Sequence, residues 1–217
     1  MHPGERMTQK VIIFDFDGTI ADTVDALVSI ANRLAIEFGY VQITPQELAL
    51  LRNLTSREII KYSGISLFKI PFLLKKVKGE LKNKIQEFKP IPGIQEALID
   101  LQNHGYKLGI ITSNSKENVT AFLKNNELEN LFDFIYSGVT IFGKTTIINN
   151  VLRQKQLKPQ AVIYVGDETR DIEASRKANV KVIAVTWGFN SHKVLAQQNP
   201  DFLIHQPNEL LEVIKST

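Results

Sequence analysis

Five short runs rich in Val and Ile constrain this chain more than any other feature. They lie at residues 10–15 (KVIIFD), 107–112 (KLGIIT), 134–136 (FIY), 161–166 (AVIYVG) and 181–186 (KVIAVT). Each has the length of a strand, and most lack the apolar–polar alternation of a strand with one wet face. That is the pattern of strands covered on both sides. Helix-length segments run through the same region. Residues 93–104 carry Ile94, Ala97, Leu98 and Leu101 at helical spacing, and 116–126, 145–155 and 169–178 are similar in length and period. Strands alternating with helices of this size make βαβ units and a parallel sheet. With 217 residues, 43% hydrophobic and 23% charged, the chain has room for one such core and a small insert.

Residues 21–89 break the pattern, since no strand-like run occurs there. Leu27, Ile30, Leu34 and Phe38 recur at helical spacing. Thr44-Pro45-Gln46-Glu47 and Thr55-Ser56-Arg57-Glu58 both read as capped helix starts. Residues 66–88 form a long basic helical stretch with Pro71 in or near its first turn, and Pro90 and Pro92 return the chain to the sheet. The expected fold is therefore α/β, a Rossmann-like three-layer parallel sheet core made of residues 1–20 and 90–217. An all-helical cap domain, residues 21–89, is inserted after the first strand.

Several function classes fall away on composition. There is no cysteine, so disulfides, thiolate nucleophiles and thiolate metal sites are excluded. A net charge of +3 argues against nucleic acid as partner. The opening MHPGERMTQK has no apolar signal core, and no apolar run reaches 18 residues. The expectation is a cytoplasmic protein with no membrane partner, either a monomer or a homodimer.

In an open parallel sheet, ligands bind beyond the carboxyl ends of the strands. Those ends carry Asp15-Phe16-Asp17-Gly18-Thr19, then Thr112-Ser113-Asn114, then Gly166-Asp167-Glu168-Thr169-Arg170-Asp171. Each group alone has a plain reading as a solvated turn or a helix cap. Together, on one edge, they converge carboxylates that repel unless a cation intervenes. A hard divalent ion held by oxygen fits, and few protein ligands with bound water suggest Mg²⁺. Such an ion would draw in an anionic substrate, most simply a phosphate, which Thr112, Ser113 and exposed N–H groups could hold. Residues 138–145, GVTIFGKT, also satisfy the phosphate-binding P-loop pattern. Bulky Val-Thr-Ile-Phe suits a nucleotide nest poorly. Lys144 is then either a surface lysine or a cation serving the carboxylates.

At these residues the sequence resembles the haloacid dehalogenase superfamily, in its phosphoglycolate phosphatase-like branch. The first family motif stands as Asp15-Phe16-Asp17-Gly18-Thr19 and the second as Thr112. The third is best matched by Lys144, although Thr145 follows it where the family usually has Pro. The fourth runs from Gly166-Asp167 to Asp171. The resemblance implies Asp15 as nucleophile, forming an aspartyl-phosphate, and Asp17 as general acid and base. It implies Mg²⁺ on Asp15, the backbone carbonyl of Asp17 and Asp167, with Asp171 in or behind that set. It implies Thr112 and Lys144 on the transferring phosphoryl group. The expected activity is a Mg²⁺-dependent phosphatase for a small anionic phosphomonoester. The alternatives are a phosphosugar mutase, a pyrophosphatase, and a retired phosphatase that only binds phosphate.

The cap bears on specificity. Residues 22–89 hold 11 Lys and Arg against 7 Asp and Glu. The lysine run that includes Lys75, Lys76 and Lys78 reads as a solvated face or as a funnel for anions. Arg52, Asn53 and Arg57 lie near an inter-helix turn and are candidate substrate contacts, as are Ser113 and Asn114 on the core side.

Overall fold

The structure, a computed structural model, describes residues 10–137 and 143–217. Six strands make one parallel sheet: β1 Val11–Phe14, β2 Lys107–Ile111, β3 Phe134–Tyr136, β4 Val162–Gly166, β5 Lys181–Val185 and β6 Phe202–Ile204. Their order is β3-β2-β1-β4-β5-β6. The five expected strands are all present. The sixth is only three residues long, lies at the edge, and is flanked by Asp201 and His205, so no apolar run announces it.

The helices of this core are α5 Ile94–Asn103, α6 Lys116–Asn125, α7 Lys144–Gln154, α8 Thr169–Lys177, α9 His192–Gln197 and α10 Leu210–Lys215. The missing alternation in β1 now has its physical reason. Ile12 and Phe14 pack with Leu98, Leu101, Phe122 and Leu210, from α5, α6 and α10, while Val11 and Ile13 pack with Val151 and Ala174, from α7 and α8. Both faces are covered, so both sets of side chains are apolar. The result is three layers, helix on sheet on helix, as expected. From β1 the chain first winds outward through β2 and β3 and then in the other direction through β4, β5 and β6. That reversal opens a crevice at the carboxyl ends of β1 and its neighbours.

Between β1 and α5 the chain forms helices only: α1 Val24–Phe38, α2 Pro45–Leu51, α3 Ser56–Ser63 and α4 Ile70–Lys84. Thr44 and Thr55 cap α2 and α3, and each receives the N–H of the Glu three residues on. The basic stretch is shorter than its sequence suggests. A 3-10 turn at Leu67–Lys69 precedes α4, Pro71 sits in the first turn of α4, and the helix stops at Lys84. Ile30, Leu34 and Phe38 of α1 join Leu81 and Ile85 in the main hydrophobic cluster, so the insert shares a core with the sheet layer. Its two ends lie side by side. Ala21 bridges to Pro90, Asp22 N donates to Lys89 O at 3.0 Å, and Ile91 N donates to Ile20 O at 2.8 Å.

A second contact seats the insert. The α2–α3 turn lies on the loop before α9, where Asn190 is buried. Asn190 Nδ2 donates to Arg52 O and Leu54 O at 3.2 and 3.0 Å, and its Oδ1 accepts the N–H of Thr169 at 2.9 Å. One side chain thus joins the insert to the first turn of α8. Asn190→Ala strips partners from these backbone groups, and a buried unpaired group costs about 1–3 kcal/mol. We expect a stability loss of roughly 2–4 kcal/mol by urea titration. A loss below about 0.5 kcal/mol, the scale of an ordinary surface change, would contradict this account of the seat.

Candidate active site

The crevice at the strand ends holds the acids that the sequence placed there. Asp15 follows β1 directly and is buried. Its Oδ1 accepts from Phe16 N at 2.8 Å and its Oδ2 from Lys144 Nζ at 2.7 Å. Asp167 follows β4. Asp171 sits one turn further on, as the third residue of α8, where its Oδ2 accepts the N–H of Glu168 at 3.0 Å. The spacing of the last motif is therefore that of a strand end plus one helical turn. Carboxylate oxygens of Asp15, Asp167 and Asp171 lie within 4.8 Å of one another, all buried.

Packing around these acids explains the glycines beside them. Gly18 has φ +75°, and a Cβ there would stand 2.4 Å from Asp167 Oδ2. A Cβ on Gly188 would stand 2.3 Å from the same oxygen. No side chain fits at either place. Asp167 is further held by Thr19 Oγ1, which donates to its Oδ1 at 2.8 Å, and by Phe189 N, which donates to Oδ2 at 2.7 Å.

Lys144 opens α7 and is 2% exposed. It donates to both Asp15 and Asp171, and its ammonium lies 5.4 Å from the Tyr164 ring centroid. Burial alone would lower its pKa, but the two carboxylates hold it well above the usual lysine value. The cation reading of Lys144 thus matches its place in the fold. Most of the P-loop-like segment, residues 138–142, lies outside the described residues.

Asp17 stands apart from the three-carboxylate cluster. Its Oδ1 accepts from Thr23 Oγ1 at 3.0 Å, and Asn114 Nδ2 reaches both its oxygens at 3.2 and 3.1 Å. Its side chain is therefore directed at hydrogen-bond donors rather than at the other acids. Burial, then the charge of Asp15, raise its pKa from the ordinary 3.8 to about 6. Asp171 is also raised to about 6, chiefly by burial, against the pull of Lys144. Burial and the neighbouring acids Glu168, Asp15 and Asp171 push Asp167 well above its usual range. Asp167 and Asp171 resist ionisation and crowd Asp15 with oxygen as the donor atom, and a hard divalent cation relieves such an environment.

The remaining candidates divide. Thr112 is fully buried at the end of β2, where its Oγ1 accepts the N–H of Asn114 at 3.0 Å and keeps its own proton to donate. Ser113 and Asn114 line a cavity of about 320 Å³ with Asp17 and Asp167. Arg52 donates to Gly188 O at 2.6 Å, and Arg57 pairs with Glu173 at 2.9 Å, so both help tie the insert to the core. The lysine run divides as well. Lys75 and Lys76 are exposed, and Lys76 pairs with Glu37, whereas Lys78 lines the cavity. Partial burial draws the pKa of Lys78 down against the attraction of Asp17. Sequence reasoning gave no role to Thr19, Thr23, Tyr164 or Asn118. Thr23 stands at the N-cap position of α1, where its hydroxyl makes no cap bond and goes to Asp17 instead.

Residues 12–185 match the family of haloacid dehalogenase-like hydrolases. The chain is 38% identical over 205 residues to a phosphoglycolate phosphatase of Synechococcus elongatus, covering 94% of this chain and 97% of that one. It is 23% identical to the pyrophosphatase PpaX of Bacillus mycoides, covering 96% and 98%. In fold it resembles the crystal structure of a predicted phosphatase from Clostridium acetobutylicum, with a TM-score of 0.81 at 22% identity over 96% of this chain and 99% of that one.

The raised acids make a prediction about pH. Unfolded, Asp17 ionises near 3.8, and folded it does so near 6. The folded state holds the extra proton between these values, so stability falls as pH rises from about 4 to about 6. Asp17→Asn removes that penalty. It should raise the melting temperature of the metal-free protein at pH 7.5, with most of the gain gone at pH 4. A gain of equal size at both pH values would show that Asp17 carries no such penalty.

Proposed function

The chain belongs to the haloacid dehalogenase-like hydrolases, in their phosphoglycolate phosphatase-like branch, and we propose that it is a Mg²⁺-dependent phosphatase for a small anionic phosphomonoester, phosphoglycolate foremost. Its fold and buried aspartate cluster make it a phosphoric monoester hydrolase. The observation that carries the finer reading is Lys144, buried between Asp15 and Asp171, next to two further acids, Asp17 and Asp167, that line a cavity walled by the helical insert. We read residues 1–20 and 90–217 as the catalytic unit and 21–89 as its cap.

Asp15 is the nucleophile. Phe16 N and Lys144 fix its carboxylate, which forms a bond to phosphorus as the bond to the leaving oxygen breaks. Asp17 gives its proton to that oxygen. With a pKa near 6, it is protonated in a useful fraction of molecules close to neutrality. In the second half Asp17 takes a proton from water, the water oxygen attacks the aspartyl-phosphate, and Asp15 is released as a carboxylate with inorganic phosphate. Thr112 and Lys144 donate to the phosphoryl oxygens throughout. A Mg²⁺ ion on Asp15, Asp167 and the carbonyl of Asp17, backed by Asp171, would neutralise charge between nucleophile and substrate.

Lys78 supports an acid on the leaving group. The cavity wall is mostly apolar, with Leu27, Val28, Ile59 and Leu74, and Lys78 is the cation that α4 adds to it. A glycolate carboxylate would meet that ammonium. Pyrophosphate is the second reading, since the same ammonium suits a phosphate leaving group.

A screen of phosphoglycolate, pyrophosphate, ethyl phosphate and hexose 1-phosphates, with Mg²⁺ and with chelator, tests this reading. We expect turnover only with metal, fastest on phosphoglycolate, and none with Asp15→Asn. Lys78→Met should raise KM for phosphoglycolate about tenfold, equal to about 1.4 kcal/mol, and leave ethyl phosphate within twofold. Full activity in chelator, or equal effects of Lys78→Met on both esters, would count against the metal and the leaving-group assignments respectively.

A further inference from the structure

Asn118, in the first turn of α6, is 1% exposed and makes no contact with the acids themselves. Its Nδ2 donates to two acceptors, Lys78 O of α4 at 3.0 Å and Asn114 Oδ1 at 2.9 Å. Asn114 in turn places its own Nδ2 on both oxygens of Asp17. An unbroken chain of hydrogen bonds therefore runs from the backbone of the insert to the carboxylate of Asp17.

Two observations set this chain apart from ordinary buried polar packing. Lys78 O lies inside a helix that continues to Lys84, so helix geometry already supplies that carbonyl with a donor. The Asn118 bond to it satisfies no orphan. Asn118 Oδ1, meanwhile, is buried with no partner among the described residues. A buried acceptor left unpaired costs about 1–3 kcal/mol, which an apolar residue of similar size would not incur. The side chain is thus costly at its oxygen and specific at its nitrogen, whose two protons suit two acceptors on different elements.

We propose that Asn118 is a positioning residue that transmits the seat of α4 to Asp17 through Asn114. With α4 in place, Asn118 holds Asn114 Oδ1, and the Asn114 amide then presents its N–H group to Asp17. Asn114 Oδ1 also accepts the N–H of Ser115 at 2.8 Å, so with α4 displaced Asn118 loses one of its two acceptors and its amide can turn, leaving Ser115 N as the one firm hold on Asn114. Asp17 keeps its bond from Thr23 Oγ1, but the Asn114 amide that reaches both of its oxygens is no longer held in that place. The inference rests on the acid–base role proposed for Asp17.

The test compares kcat/KM for two esters whose leaving groups carry no anion. Ethyl phosphate has a poor leaving group that needs a proton, and p-nitrophenyl phosphate has a good one that does not. Asn118→Leu should lower kcat/KM about tenfold for ethyl phosphate and less than twofold for p-nitrophenyl phosphate. Should Asn118→Leu fail to fold, Asn118→Ser, whose single short donor cannot serve both acceptors, should show the same skew. In an Asp17→Asn background the Asn118 substitution should add nothing for ethyl phosphate, because it acts through a group already removed. Equal losses on both esters, or additive losses in the double variant, overturn the proposal. Asp17→Asn alone provides the separate check. If it does not skew the two esters, the acid–base role of Asp17 is wrong and this inference falls with it. If it does and Asn118→Leu does not, only this inference falls.

Discussion

The contact on which the rest of the site depends is a buried ammonium between two buried carboxylates. Lys144 comes from α7, Asp15 from the end of β1 and Asp171 from α8, so one cation fixes three elements that are distant in sequence. Burying such charges is expensive, and a buried ion pair often adds little to stability compared with an apolar substitute. The cluster is therefore poorly explained as a device for holding the fold together. Burial first, and then the neighbouring acids, push Asp167 and Asp171 to hold protons. With Asp15 beside them, the site has an excess of acidic groups that a cation can offset.

The sheet makes that deficit possible. Because β1 and β4 are covered on both faces, their ends open into a site walled by apolar layers, where charges are weakly screened. The insert completes the enclosure through two different seats. The α2–α3 turn is held by Asn190 and Arg52 against the loop that also supplies Phe189 N to Asp167. Helix α4 is held against α6 through Asn118. One seat thus touches the side of Asp167 and the other the side of Asp17.

Much of this was legible in the chain, for reasons tied to particular residues. The four longer strands announce themselves because burial on both faces forces unbroken apolar runs, the short edge strand β3 shows as an isolated apolar triplet, and β6, an edge strand of the same length, does not stand out between Asp201 and His205. The capping boxes at Thr44 and Thr55 follow from local chemistry alone, and both formed. Asp15, Asp167 and Asp171 were readable because strand ends place them on one edge, and Lys144 because it stands in the GVTIFGKT segment and matches the third motif of the family resemblance. What could not be read is the partner of each polar side chain. Arg52 and Arg57 have the charge of substrate contacts, but each meets an acceptor on the core surface. Three lysines of one helix look alike in sequence, yet only the orientation of α4 separates Lys78 from Lys75 and Lys76. Asn118 is an ordinary helix residue until its two acceptors, from 4 and 40 positions away, are seen together.

The strand order has a consequence for synthesis. β1 is made well before either neighbour, since its register partners are Lys107–Ile110 of β2 and Val162–Val165 of β4. At ribosomal rates of about 5–20 residues per second, the apolar segment Val11–Phe14 waits on the order of 5–20 seconds for its first neighbour. The helices of the insert emerge in that interval, and α1 and α4 can pair locally, since their contacts do not need the sheet. The cap is thus positioned in time as well as in space to accompany an unpaired strand. Its amphipathic helices are the first surface available to the nascent core, before that core has any second strand to join.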